Sequence, residues 1–328
     1  MRAKLAVIST VVLLLLISLG PMPAAPQVRV TIAVGPPSPT LSAFVVAGAL
    51  AQVISKNIPN TTSIVQPIPF GPGGAIPDRM RPIAERRADL EIVGSVLVLD
   101  AFLGVEGFRG NPVPVRTLTP LWDLFYHLVT VEESGVRAVG DLRGKRVALD
   151  APAERDALRF LRAAGIDPDR DVRRETLATG AWVAAMREKR FDAVFTVTSN
   201  TLPLPEVLDF ATTPGVRMRL VPMDDVLPAL RREFGVRFIK VTVRKEFYPG
   251  MTADVTTVGA TWLLVSHRDF NADLAYQITR LTYEKRDELA QAHKAAQYIT
   301  LVGLAGRSPI PYHPGAARYL KERGVAVD

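Results

Sequence analysis

Four histidines, His127, His267, His293 and His313, are the side chains in this sequence best suited to hold a metal or move a proton. No two of them stand four residues apart, no H-E-x-x-H occurs, and the chain has no cysteine. A helical zinc pair and a thiolate site therefore both lack their ligands. Nucleophilic acyl transfer has no local support, because no G-x-S-x-G elbow is present. The adjacent acids Glu132–Glu133 and Asp224–Asp225 fall in polar turns and read as solvated carboxylates, not as a matched acid and base. No catalytic constellation emerges. The expectation is a protein that is not an enzyme and that holds neither a metal nor a cofactor.

One stretch does have the composition of a ligand loop. Pro69–Met80 reads PFGPGGAIPDRM, with three glycines ahead of an expected helix start. A phosphate-binding P-loop would need Gly-Lys-Ser/Thr, and Ala75-Ile76-Pro77 follows Gly73-Gly74 instead. A dinucleotide loop would need a third glycine in register. A glycine-rich turn at a helix N-terminus remains, where free N–H groups and the positive end of the dipole favour an anion. Asp78 in the first turn is an alternative partner for that helix end. Ligand contact and a simple turn both stand as readings.

Such a loop must be carried by the elements around it. VRVTIAV (28–34), TTSIVQPI (61–68) and DLEIVGS (89–95) read as strands, separated by helical spacing over 41–56 and about 75–87. This β-α-β-α-β order predicts a parallel sheet covered on both faces. A second set begins with LWDLFYHLVTV (121–131). It continues with a strand at 145–150, a helix at 153–164, a strand at 172–176, a helix at 178–189, a strand at 191–197, a helix at 204–211 and a strand at 216–222. TTVGATWLLVSH (256–267) is again long and strand-like, and the tail (270–292, 294–302, 314–323) is helical. Each long strand lies between the two sets, so each is placed to cross between lobes. The expected fold is α/β and bilobal, with lobe I formed by 28–125 plus 259–328 and lobe II by 126–258. Ligands at open α/β sheets sit outside the carboxyl ends of the strands, and here those ends would face one another across a cleft. Trp122, Trp182 and Trp262 lie in apolar segments and read as core, with Trp122 and Trp262 on the crossing strands.

Met1-Arg-Ala-Lys4, the apolar run 5–19 and Gly20–Ala25 follow the order of a secretory signal. Fifteen residues rise only about 22 Å as a helix, short of a ~30 Å hydrocarbon core. Residues 1–25 are therefore expected to be a signal peptide, with an uncleaved anchor as the alternative. The chain has 328 residues, 48% of them hydrophobic and 22% charged, which is an ordinary balance for a chain with ample core. The net charge of +7 is spread as short basic pairs without any nucleic-acid motif, so nucleic acid is not expected as a partner.

Several stretches match one known family. Pro311-Tyr-His-Pro-Gly-Ala316 is similar to a near-terminal "P-x-H-P-G-A" signature. Tyr248-Pro249-Gly250 followed by Ala253–Val258 is similar to "Y-P-G…V-x-T-V". Asp141–Val147 is similar to "D-L-x-G-K-x-V", and Asn271–Ile278 leading into Ala290–His293 also fits. By these motifs the chain resembles the TAXI-type solute-binding receptors of TRAP transporters, over about residues 29 to 323. The resemblance implies a type II periplasmic-binding-protein (Venus-flytrap) fold, periplasmic and monomeric. Such a receptor closes on a small organic anion and delivers it to TRAP-type membrane permease subunits. A periplasmic sensor presenting its closed state to a signalling protein is the alternative.

The resemblance also implies site residues. Gly73, Gly74, Ala75 and Asp78 fall on the family's "G-G-S-x-x-N" ligand loop. The family's first loop, "G-G-T-x-Y-Y", aligns with 35–41, where Ser38 and Thr40 remain and the aromatic pair is lost. "Q-S-D" reads Gly94-Ser95-Val96, which keeps Ser95. "G-A-P-G-S-G-T" reads Asp150–Arg155, where Arg155 offers a charged fork in place of the lost donors. Thr198, Ser199 and Asn200 occupy the next loop. With an acid and the aromatics gone and Val96 gained, the implied ligand is an amino acid, a dicarboxylate or a less polar carboxylate.

Overall fold

The computed structural model describes residues 27–35, 41–68, 76–199, 203–235, 238–301 and 305–327, with the side chains of residues 76–78 and 305 outside this set. The expected signal peptide or anchor over 1–25 lies outside it too. Strands β1 (Val28–Val34), β2 (Thr61–Pro67) and β3 (Leu90–Gly94) alternate with helices α1 (Ser42–Asn57) and α2 (Ile76–Ala84), and α3 (Ser95–Leu103) follows directly. β1 pairs in parallel with both β2 and β3, as a β-α-β-α-β order requires.

The chain then enters β4 (Val115–Val131), a strand of 17 residues. At roughly 3.3 Å per residue it spans about 56 Å, long enough to serve two sheet segments. Beyond it come β5 (Arg146–Asp150), α4 (Glu154–Ala163), β6 (Arg173–Leu177), α5 (Trp182–Arg187), β7 (Ala193–Ser199), α6 (Pro205–Ala211) and β8 (Met218–Val221). They are followed by α7 (Leu227–Phe234), β9 (Ile239–Val243) and β10 (Val255–His267), then α8 (Ala272–Glu284), α9 (Arg286–Ala292) and α10 (Pro314–Glu322).

All ten strands form one sheet, in the order β2-β1-β3-β10-β4-β7-β5-β6, with β8 on β4 and β9 on β10. β4 and β10 join its halves. β10 pairs with β3 through Trp262–Ser266 and with β9 through Val255–Gly259. β4 pairs with β10 along its first part and with β7 through Leu124–Thr130. The β4–β10 register shifts between Thr261 and Leu263 and again between Leu264 and Val265, and bulges of this kind bend and twist a ladder. Gly259 lies beside the handover. A Cβ there would come within 2.7 Å of Val241 Cγ1 and 2.8 Å of the Leu124 carbonyl, so only glycine lets the strands approach.

Each half carries apolar clusters on both faces. In the first half Leu50, Ile54, Trp122, Ile278 and Tyr319 fill one side and Met80, Val93, Leu97 and Val265 the other. In the second half Leu149, Phe160, Phe195 and Phe238 fill one side and Trp182, Val194, Phe210 and Tyr248 the other. Trp122 and Trp182 are fully buried, while Trp262 packs against clusters of both halves. Compared with the sequence reading, β4 begins six residues earlier, α3, α7 and β9 are additional, and the tail helix breaks at Lys285 (φ −102, ψ 17). Among the described residues no helix is long and apolar enough to cross a membrane.

Candidate ligand-binding site

The carboxyl ends of β1, β2, β3, β5 and β7 carry the loops expected to hold a ligand. Ser38, Thr40, Gly73, Gly74, Ala75 and Asn200 lie outside the described residues, as does the Asp78 side chain, although Asp78 itself falls in the first turn of α2. Ser95, Arg155, Thr198 and Ser199 are described.

Ser95 opens α3 without an intervening loop and is buried. Its Oγ accepts the Thr261 N–H at 3.1 Å. Thr261 Oγ1 donates to Asp123 Oδ1 at 3.0 Å, and Arg307 donates to Asp123 Oδ2 at 2.8 Å. Ser95 thus belongs to a polar chain on the crossing strands. Burial raises the Asp123 carboxyl, against the lowering effect of Arg307 and Thr261. Val96, expected to make the ligand less polar, is buried with Leu124 and Tyr126 in an apolar cluster of the second half.

Thr198 and Ser199 end β7. Thr198 is nearly buried. Ser199 Oγ lies 2.7 Å from Ser42 Oγ at the start of α1, so the two halves touch there.

Arg155 joins the other contact between halves. Its Nε donates to Asp156 Oδ1 at 3.2 Å, and its Nη1 lies 3.5 Å from Asp100 Oδ2 on α3. Arg159, one turn on, donates to Asp100 Oδ2 at 2.8 Å and to Asp156 Oδ1 at 3.2 Å. Tyr126 Oη donates to Asp156 Oδ2 at 2.5 Å. Burial alone would raise the Asp156 carboxyl, but Arg155 and Arg159 outweigh it and hold it below the usual carboxylate range. Burial likewise opposes the charge on Arg155, and Asp156 and Asp100 more than compensate, so its pKa is raised. Buried charges such as Asp100, Asp156 and Arg159 persist only when paired in this way.

Asp100, Asp156, Arg159 and Tyr126 were missed in the sequence, yet two signals were there. SVLVLDAFL has one charge in nine residues, and a lone acid in an apolar helix implies a buried partner. Arg155 and Arg159 stand four apart, which puts them on one helix face.

The family-like motifs do scaffold work. His313 Nδ1 caps α10 by accepting the Gly315 N–H at 3.3 Å. A Cβ on Gly315 would fall 2.0 Å from the Ala272 carbonyl oxygen, so this glycine seats α10 against α8. Asn271 caps α8 through the N–H groups of Asp273 and Leu274, both at 3.0 Å. Asp141 Oδ2 accepts the N–H groups of Arg137 and Ala138 at 2.8 and 2.9 Å. Tyr248 Oη accepts the Leu204 N–H at 3.0 Å and lies 3.0 Å from His127 Nε2. Burial pushes His127 down to about 4, which suits a structural, neutral imidazole. Among the described residues no group of three or more His, Asp or Glu side chains is arranged to hold a metal ion.

Two further acids are perturbed. Burial raises Asp150, at the end of β5, to about 6, against hydrogen bonds from Thr196 Oγ1 and the Gly180 N–H. Glu91 in β3 is fully buried and is raised to about 8 by burial, with Arg79 pulling the other way.

Comparison with solved structures finds similar chains. XAC2383 from Xanthomonas citri, solved with a chloride ion, superposes with a TM-score of 0.52 at 12% identity, covering 90% of this chain and 95% of that one. The periplasmic aliphatic sulphonate binding protein SsuA from Escherichia coli gives 0.47 at 15% identity, covering 90% and 79%. The alkanesulfonate-binding protein SsuA from Xanthomonas axonopodis pv. citri, bound to MOPS, gives 0.45 at 17% identity, covering 92% of each chain. With residues 32–324 matching its sequence pattern, the chain belongs to the NMT1-like family.

Proposed function

We propose that this protein is an extracytoplasmic solute-binding receptor, not an enzyme, and that it captures a small organic anion between two lobes. Lobe I comprises 28–125 and 259–328, and lobe II comprises 126–258. The observation that carries this reading is the double crossing. Two α/β halves are joined through β4 and β10, and the end of β7 meets the start of α1 through Ser42–Ser199, while α3 meets α4 through Asp100–Arg155. A pair of crossing strands is a hinge, and a hinge with strand ends facing inward makes a cleft that can close on a solute.

Arg155 supports an anionic solute. It stands in the first turn of α4, where the helix dipole also favours negative charge, and its side chain is 26% exposed. The Pro311–Ala316 and Tyr248–Val258 motifs support the finer reading, a TAXI-type receptor serving a TRAP permease. The apolar run at 5–19 supports export to the periplasm.

A thermal-shift screen tests the reading. The panel holds amino acids, dicarboxylates, 2-oxo acids, aromatic acids and sulfonates. A true solute at a hundred times its Kd adds about 2.7 kcal/mol, a rise of several degrees. Arg155→Ala is then expected to weaken that solute by ~1.5–3 kcal/mol, as for a charged hydrogen bond. A flat panel on folded, ligand-free protein overturns anion capture.

A further inference from the structure

Helix α4 presents two arginines to one carboxylate, and they hold it unequally. Arg159 donates to Asp100 Oδ2 at 2.8 Å, is only 2% exposed, and has the Phe234 ring 5.0 Å from its guanidinium carbon. Arg155 stands 3.5 Å from the same oxygen, an ion-pair distance beyond a normal hydrogen bond, and is 26% exposed. Asp100 itself has no exposed surface. Arg159 and the packing of α3 therefore fix the carboxylate in place. Arg155 is the member that solvent, and hence a solute, can reach.

Building on the anion-receptor reading, we infer that Asp100 is an internal stand-in for the solute's oxyanion group. Asp100 occupies Arg155, and an incoming anion exchanges with it. Exchange requires that Asp100 remain neutralised once Arg155 turns away, and Arg159 does this. Arg155 keeps Asp156 beside it in either state. Asp100 is thus a specificity-determining residue that never touches the solute. It lowers affinity for weak anions and reserves Arg155 for a group that binds a guanidinium better than a carboxylate held at 3.5 Å does.

The test uses sulfate as probe, titrated calorimetrically at constant ionic strength. Asp100→Asn is expected to bind sulfate about 10-fold more tightly than wild type. Adding Arg155→Gln to that variant is expected to return binding to the wild-type level. Equal sulfate affinity in wild type and Asp100→Asn overturns the inference, as does a gain that survives the loss of Arg155. Where Asp100→Asn fails to fold, Asp100→Asn with Arg159→Gln removes the tight pair as a unit, and the same gain is expected. Arg155→Gln in the wild-type chain is expected to melt within a few degrees of wild type, and a drop matching that of Arg159→Gln overturns the loose-member assignment. None of these readouts needs the natural solute. A flat solute panel alongside a sulfate gain sinks the receptor reading alone, and a panel hit without a sulfate gain sinks the role of Asp100 alone.

Discussion

Two junctions hold this molecule together by different physics. Where α10 meets α8, the contact rests on the absence of a side chain at Gly315, a His313 cap and the stacked rings of Tyr283 and Tyr319. Where α3 meets α4, it rests on two buried carboxylates, the buried guanidinium of Arg159 and the partly exposed one of Arg155. The first junction is short-range and apolar, so it has one arrangement and tolerates little change. The second is a set of buried charges in which Arg159 holds two carboxylates tightly and Arg155 lies farther from Asp100. Asn271–Ile278 and Pro311–Ala316 fall at the first kind of contact, and Arg155, the proposed solute ligand, falls at the second.

The largest break is expected at the charged junction. Arg159→Ala leaves the buried Asp100 without its hydrogen-bonded arginine, with only Arg155 at 3.5 Å, and is expected to cost about 3–5 kcal/mol by chemical denaturation. Gly315→Ala should come next, at about 2–3 kcal/mol, because α10 must move off the Ala272 carbonyl. If that variant is as stable as wild type, the close helix approach is not what closes the C-terminal junction. Tyr248→Phe leaves the Leu204 N–H without its acceptor and should cost about 1–2 kcal/mol.

A pH measurement sharpens the contrast by reading a buried carboxyl, Glu91, whose oxygens have no hydrogen-bond partner among the described residues. Glu91 has a folded-state pKa of about 8, well above the ~4.3 of an unfolded glutamate. The native state therefore holds a proton that the unfolded chain has released, and stability falls as pH rises between these values. His127, depressed to about 4, acts in the opposite direction, but only up to about pH 6.5, its unfolded value. Asp150, raised to about 6, adds to the fall only below that pH. Between pH 6.5 and 8, the Glu91 contribution should lower stability by up to about 1.4 kcal/mol per pH unit. Glu91→Gln should flatten that part of the profile. An unchanged slope in the variant would assign the proton to another group.

Much of this architecture was readable in order along the chain. The strands at 28–34, 61–67 and 193–199 and the helices at 42–57 and 154–163 carry clear periodicity, and the two long strands announced the crossing. Helix α3 was not readable, because Ser95 through Ala101 are all buried, and a helix without a polar face shows no amphipathic period. β9 is five residues long and gains its place only by pairing with β10. At the site, Arg155 was singled out in sequence as an anion ligand. What it faces was not readable.

By itself, then, the sequence determined the α/β alternation, the two strands long enough to serve both halves, and the absence of a thiol. These are local properties, set by side-chain type and periodicity within a few turns. Only the tertiary structure decided that Asp100 meets Arg159 across 59 residues and that Arg155 is left as the looser partner of the same carboxylate. It also decided that Glu91 sits buried beneath its own sheet face. Pairings of this kind depend on how two separately folded surfaces dock, and the charge of a residue says that it needs a partner without saying which one the fold will bring.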